Sequence, residues 1–382
     1  MKQITSLIFF LLFLNSYSQD TVYARQVIKK LTSKEFLGRG YVNDGVNKAA
    51  SYISKQLKTI GLLKFGKSYS QNYTFPVNTF PGKMSVVLDG RTITAGKHYL
   101  IYPSAKTIKS GFQLFKTDSV TYEANDGQRP FPLKVKLKKK LTYTVETELA
   151  DNITIELLKD SFPDELKTID VIFENKFISA FKCQNLCGYI KGTQQPDSFI
   201  VFTAHYDHLG AMGKDAYFPG ANDNASGVSV VLNLAKYYKQ HPSKYSIAFI
   251  FFSGEEAGLI GSKYYSEHPL FPLTKIKFLT NLDLLGTGDD GIMVVNASVF
   301  KEQFEKLNQI NAEKNYVKQI KQRGKAANSD HYWFSEKGVP SFFIYTIGGV
   351  SFYHDIYDVE KTLPLTKYLE VCKLLIEFNA KL

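Results

Sequence analysis

The stretch that decides the reading runs from Phe199 to Gly286. It contains FIVFTAHYDHLG at 199–210, GANDNASG at 220–227, FFSGEEAGLIGS at 251–262 and NLDLLG at 281–286. His205 closes the apolar run Phe199–Ala204. Glu255 and Glu256 follow Ile247–Phe252 across a Ser-Gly turn, and Asp283 sits at the end of another run, Phe278–Leu284. Short continuous apolar runs bounded by turn residues read as strands buried on both faces. Imidazole and carboxylate are thereby delivered repeatedly to one edge of a sheet.

Outward from this stretch, strand and helix alternate to the end of the chain. Leu186–Ile190 is a candidate strand. Ala225–Tyr238 reads as a helix with Val228, Val231, Leu234, Ala235 and Tyr238 on one face, and another helix begins near Ala257. Pro340–Tyr345 is a further strand, and a last helix carries Leu365, Leu369, Cys372 and Ile376. The alternation predicts an α/β fold, a mostly parallel, mixed sheet covered by helices on both faces. Upstream, residues 20–65 read as helical. Tyr23, Val27 and Leu31 follow one face, and Val46, Ala49, Ala50, Ile53, Leu57 and Ile60 repeat at helical spacing before Gly61 supplies a stop. Glu35–Gly40 between the two helices reads as a loop, with Arg39 expected at the surface.

Residues 66–180 change character. Period-2 alternation appears in Lys134–Leu141 and in Leu141–Leu149, with β-rich runs at Met84–Leu88 and Ile153–Leu158. This predicts an inserted β-rich lobe whose aromatic residues are core. The expected organisation is a signal peptide at 1–18, N-terminal helices at 19–65 packing on the main domain, the lobe at 66–180, and the main domain at 181–382.

Length and composition bound the rest. A chain of 382 residues, 44% hydrophobic and 22% charged, buries a sizeable core without staples. The formal charge is +11. Part of it is the run LKVKLKKK at 133–140, read as a solvated strand face or edge where lysine discourages sheet association. No aromatic or motif context marks a nucleic-acid site. Lys2, the apolar run Ile4–Leu14 and Ser16-Tyr17-Ser18 have the layout of a cleaved signal, with cleavage after Ser18. That predicts a secreted or periplasmic protein with no stable membrane anchor. Cys183 and Cys187 are four apart; on a strand that is roughly 13 Å, too far to bridge, although a turn between them permits a bond. With Cys372 the expectation is three free thiols.

In sheets of this kind ligands bind beyond the carboxyl ends of the strands. His205, Asp223, Glu256, Asp283 and His354 form a mixed nitrogen and oxygen set suited to one or two zinc-like ions. Taken singly each has a plainer reading: Asp223 before a helix is a cap, and adjacent glutamates are a solvated face. Adjacent acids at the mouth of a greasy strand are costly without a cation, and the joint pattern argues for a metal.

With HYD at 205–207, GANDNASG at 220–227, SGEEAGLIGS at 253–262, NLDLLG at 281–286, SDH at 329–331 and YHD at 353–355, the chain resembles the M28 family of zinc aminopeptidases. The resemblance implies the zinc-exopeptidase (phosphorylase/hydrolase-like) fold and two Zn2+ ions. It implies peptides with a free N-terminus as substrates. His205 and Asp283 look like ligands of one zinc, Glu256 and His354 of the other, and Asp223 like the bridging carboxylate. Glu255 looks like the general base, Asp207 like the acid that orients His205 through its other ring nitrogen, and Tyr353 like a residue that polarises the scissile carbonyl. Asp330 and His331 match in supporting roles. The tail HDIYD at 354–358 departs from the commoner pattern but keeps Asp358 as a partner for the ligands. The alternatives are a one-zinc glutaminyl cyclase of the same fold, a carboxypeptidase acting on acidic peptides, and a non-catalytic binding protein.

Overall fold

The structure, a computed structural model, describes residues 20–125, 130–162 and 165–382. The signal-peptide reading of 1–18 lies outside the described residues. Among the described residues no helix is long and apolar enough to cross a membrane.

The main sheet has eight strands in the order Ser70–Thr79, Lys176–Ile190, Tyr245–Phe252, Gln195–His205, Ile276–Leu282, Ser341–Ile347, Gly291–Val295 and Ile320–Gln322. The four from Tyr245–Phe252 to Ser341–Ile347 run parallel; the strands flanking these four pair antiparallel to them. Both faces are buried. Ile200, Phe202, Ile247, Phe249 and Phe251 join one core with the helices Thr21–Leu31, Gly45–Ile60, Gly227–Gln240 and Tyr368–Ala380. Val201, Ala248, Ile250 and Phe252 turn the other way, onto Tyr265 and Phe334 of the helices Ile260–Glu267 and His331–Glu336. Alternate residues of one apolar run thus serve two cores, which is why these strands read as continuous rather than alternating. The helix Gly45–Ile60 stops at Gly61, as its sequence predicts.

A second eight-stranded sheet spans Ser85 to Phe173, around Val86, Phe112, Leu133, Val135, Ile155 and Val171. Leu209, Met212 and Phe218, from the loop after His205, pack into the same core and lock the two sheets together. Several expectations need correction. The strand Ser70–Thr79 belongs to the main sheet, because it pairs with Lys176–Ile190; the lobe is narrower than 66–180. Leu141–Leu149 is not a strand, since its backbone is spent elsewhere, as described below. The lysine strand Pro130–Lys138 is interior to its sheet, not an edge, and Lys134 and Lys138 pair with Glu123 and Glu156 on its solvated face. Cys183, Cys187 and Cys372 are free and buried, the first two on one strand.

Candidate metal centre

The parallel strands end side by side, and the chemistry-bearing residues collect there. His205 is the last residue of its strand, Asp283 follows Ile276–Leu282, and Glu255 and Glu256 lie three and four residues past Phe252. Asp223 arrives on the turn Ala221–Ser226, knitted to the strand end beside it. Asn224 Nδ2 donates to the Leu282 carbonyl at 2.9 Å; the Leu285 and Gly286 N–H groups donate to Ser226 Oγ and Asn222 Oδ1, both at 2.8 Å. The polar side chains of GANDNASG therefore satisfy backbone groups of NLDLLG that burial would leave orphaned.

The five expected ligands meet. His205 Nε2 lies 3.3 Å from Asp223 Oδ1 and 3.4 Å from Asp283 Oδ1. His354 Nε2 lies 3.2 Å from Asp223 Oδ2 and 3.1 Å from Glu256 Oε2. Asp223 therefore offers one oxygen to each histidine. Donor atoms of His205, Asp223 and Asp283 all lie within 4.8 Å of one another, as do those of His205, Glu255 and Glu256 and of His208, Asp223 and Glu256.

Main-chain carbonyls set the tautomers. His205 Nδ1 donates to the Asp207 carbonyl at 3.2 Å, and His354 Nδ1 donates to the Tyr143 carbonyl at 2.9 Å. Carbonyl oxygen only accepts, so both Nδ1 atoms carry a proton and both Nε2 atoms face the carboxylates. The Asp207 carboxylate, expected to orient His205, stands 3.7 Å from Nδ1. Within ion-pair reach of that ring, it also accepts from the Tyr41 hydroxyl at 2.7 Å and from the Glu255 and Glu256 N–H groups at 3.3 and 3.4 Å, fixing the turn that carries both glutamates. Tyr143 explains the irregular path of Leu141–Leu149. Its N–H and carbonyl both bond His354, and Lys140 Nζ donates to the Ser351 and Tyr353 carbonyls. The lobe thus holds the His354 loop.

Around these groups, the Asp358 carboxylate accepts the N–H groups of Asn222 and Asp223 at 2.9–3.0 Å. Ser329 Oγ donates to Asp283 Oδ2 at 3.1 Å. Tyr353 is half exposed and stacks on His354 at 3.8 Å. Arg39 is not at the surface: it is fully buried beneath the centre, and its guanidinium donates to five carbonyls, including that of Asp223. An arginine in a short glycine-flanked loop carries no periodicity that would announce this. His208, three residues after His205, was also missed; its Nδ1 lies 2.6 Å from Glu256 Oε1. A second imidazole in the same cluster was the available signal.

The electrostatics ask for cations. Burial alone would depress His354, but Glu256 and Asp223 outweigh it and hold it up at about 11. His205 is likewise held well above the usual imidazole range by Asp283 and Glu255 against its burial. Burial raises Glu255 and Asp283, only partly offset by His205. Burial would raise Glu256 too, yet His354 and His208 bring it down to about 2. An Nε2 atom facing two carboxylates needs a positive charge between them, either a proton or a metal ion. His205 Nε2 and Asp283 Oδ1 are buried without a hydrogen bond. That orphaning, together with the imidazole and carboxylate donors, fits zinc.

His331, from the SDH match, belongs to none of these donor groups. It is fully buried against Phe343, and neither ring nitrogen makes a hydrogen bond. Burial pushes it down to about 4. Unfolded, it titrates near about 6.5, so between the two values the unfolded chain binds the extra proton. Stability present above the upper value is lost as pH falls toward the lower one. Urea unfolding of the zinc-free chain should show about 2 kcal/mol less loss between about pH 7.5 and about pH 5 in His331→Leu than in the unsubstituted protein. Equal losses would remove His331 as the source.

A profile described as Peptidase family M28 matches residues 185–378, just over half of the chain. The chain is similar to aminopeptidase YwaD of Bacillus subtilis (strain 168), 32% identical over 173 residues. That match spans 41% of this chain and 34% of YwaD, so the chain covers about a third of that relative's length. Among solved structures it resembles a zinc aminopeptidase from Bacillus subtilis, with a TM-score of 0.70, 18% identity and 95% of each chain covered. It also resembles a Bacteroides thetaiotaomicron glutaminyl cyclase, with a TM-score of 0.56, 14% identity, and 95% of this chain and 98% of that one covered. At these identities the solved structures show the α/β fold alone.

Proposed function

The chain belongs to peptidase family M28, and from that premise we propose that it is a zinc-dependent aminopeptidase that holds two ions and removes N-terminal residues from peptides. The observation that carries the reading is Asp223 placed between two histidines, one oxygen toward each Nε2. His205 and Asp283 would hold one zinc with it, and Glu256 and His354 the other.

Zinc bound there supplies Lewis-acid polarisation of the scissile carbonyl and an acidified water nucleophile. The chain's own residues do the rest. Glu255 takes the proton from the attacking water at its carboxylate and passes it to the leaving amine. Its burial makes it a stronger base than a solvated carboxylate, and Asp207 holds its backbone in place. Tyr353, beside His354, is assigned to the developing oxyanion. A cavity of about 430 Å3 opens against Tyr353, walled by Leu284, Ile347, Val350 and Phe352, and suits an apolar side chain at the substrate's N-terminus. A larger depression, about 670 Å3 and lined by Asn47, Tyr73, Lys182 and Tyr264, includes neither Tyr353 nor Asp358, both of which line the smaller cavity.

The fold likeness to a glutaminyl cyclase supports a second reading, ring closure on N-terminal glutamine with one zinc. Metal analysis and a substrate panel separate the two. The expected result is about two zinc per chain, with release of free N-terminal residues that stops in chelator and returns with zinc. Substrates with a blocked amine should be spared. One zinc and ring closure would favour the cyclase, and a chain without zinc would remove both readings.

A further inference from the structure

The five-ligand scheme leaves His208 without a role. It is fully buried, and its ring stands 5.9 Å from that of His354. Its Nδ1 is 2.6 Å from Glu256 Oε1 and 3.9 Å from Asp223 Oδ1. The opposite Glu256 oxygen, Oε2, faces His354 Nε2 at 3.1 Å. The two oxygens of one carboxylate are therefore divided between two imidazoles. An ionised carboxylate only accepts, so the short contact to Oε1 is an N–H donated by His208.

The surroundings fix that ring. The main-chain N–H of His208 donates to the Arg39 carbonyl at 3.2 Å, which holds the backbone that carries the ring. Gly220, at φ +61, lies flat against the imidazole; a side-chain carbon there would come within 2.4 Å of Cδ2 and 2.6 Å of Cγ. Glycine is the residue that allows this approach. The turn leading to Asp223 thus presses the ring toward Glu256, and the imidazole cannot swing away without moving that turn.

We propose that His208 is a positioning residue for the second metal site, donating Nδ1–H to Glu256 Oε1 so that Oε2 alone is presented toward His354 and the ion. A free carboxylate samples rotations that offer either oxygen or both; the donated hydrogen bond removes that freedom and tunes the ligand's basicity. His205 and Asp283 are served by different partners, the Asp207 carbonyl and Ser329. Loss of His208 should therefore weaken one site and spare the other.

The inference rests on the zinc reading above, and calorimetric zinc titration of the metal-free full chain against a competing chelator tests it. His208→Ala should weaken the second equivalent about 10–100-fold and leave the first unchanged. His208→Asn, whose amide N–H occupies the place of Nδ1–H, should restore most of that affinity. His208→Gln, whose amide reaches the position of Nε2, should not. X-ray absorption on the loaded chains should count the same number of imidazoles per zinc pair in the unsubstituted protein and in His208→Asn. Circular dichroism identifies any variant that has lost its fold, and the Asn variant keeps the test open if the Ala variant does. Two ions bound with unchanged affinities in His208→Ala overturn the inference alone, as does the loss of one imidazole in His208→Asn, which would make His208 a ligand. A chain that binds no zinc overturns the inference together with the reading beneath it.

Discussion

Glu255→Gln is expected to lower kcat for release of an N-terminal residue by about 10²–10⁴-fold while zinc content stays unchanged. The substitution keeps the shape of the side chain and removes its ability to take a proton. Glu255 is partly buried with Glu256, Asp330 and Asp283 close by, and desolvation raises its pKa. Such a group, once ionised, accepts a proton readily and can carry it from the attacking water to the leaving amine. KM should change little, because the expected metal ligands keep their partners: Glu256 retains His354 and His208, and Asp283 retains Ser329. Glu255 donor atoms also lie within 4.8 Å of those of His205 and Glu256, so the zinc content of the variant matters as much as its rate. Normal turnover with full metal would remove Glu255 from the chemistry. Loss of one zinc would make it a ligand instead.

What could be read from the chain follows from how each feature is encoded. His205, Glu255, Glu256 and Asp283 announce themselves because buried parallel strands are apolar without interruption, so the polar residues at their ends stand out. Asp223 looks like a helix cap by itself and becomes informative only beside the others. The groups that orient the histidines carry no such mark. The carbonyls of Asp207 and Tyr143 are backbone atoms, present at every position, and only the fold selects them. Leu141–Leu149 alternates like a strand because Leu141 and Tyr143 turn inward, yet its backbone bonds to the His354 loop instead of a ladder. The same limit hid Ser70–Thr79, which the sequence leaves undivided within the lobe: its partner strand, Lys176–Ile190, lies far downstream.

Arg39→Met is expected to destabilise the chain by about 3–5 kcal/mol, the cost of breaking a buried charged network from one side. Nε donates to the Tyr206 carbonyl at 2.8 Å, one terminal nitrogen to Leu31 and Pro219 at 3.3 and 2.6 Å, and the other to Gly220 and Asp223 at 2.8 and 3.0 Å. Methionine fills much of the volume and takes a donor from each of the five carbonyls, of which that of Gly220 keeps the Ala225 N–H at 3.3 Å, in a site without ready access to water. It also removes a positive charge close to Asp223, Asp358, Asp207 and Glu256. Burial lowers the guanidinium pKa to about 10, against the pull of these acids, so it remains charged at neutral pH. Lysine should not rescue the loss, since an ammonium has three donors and no planar fork to span the carbonyls. The flanking glycines show how tightly the loop is fitted: a side-chain carbon at Gly38 would lie 2.3 Å from the Phe218 carbonyl oxygen, and one at Gly40 2.3 Å from Gly210 Cα. Because Arg39 grips Pro219, Gly220 and Asp223 together, zinc should also bind more weakly to whatever fraction of the variant stays folded. Urea unfolding of the metal-free chain reads the first effect and zinc titration the second. An unfolding midpoint shared by Arg39→Met and the unsubstituted chain would mean that the guanidinium contributes no net stability and that the turn bearing Asp223 is held by Asp358 and its neighbours alone.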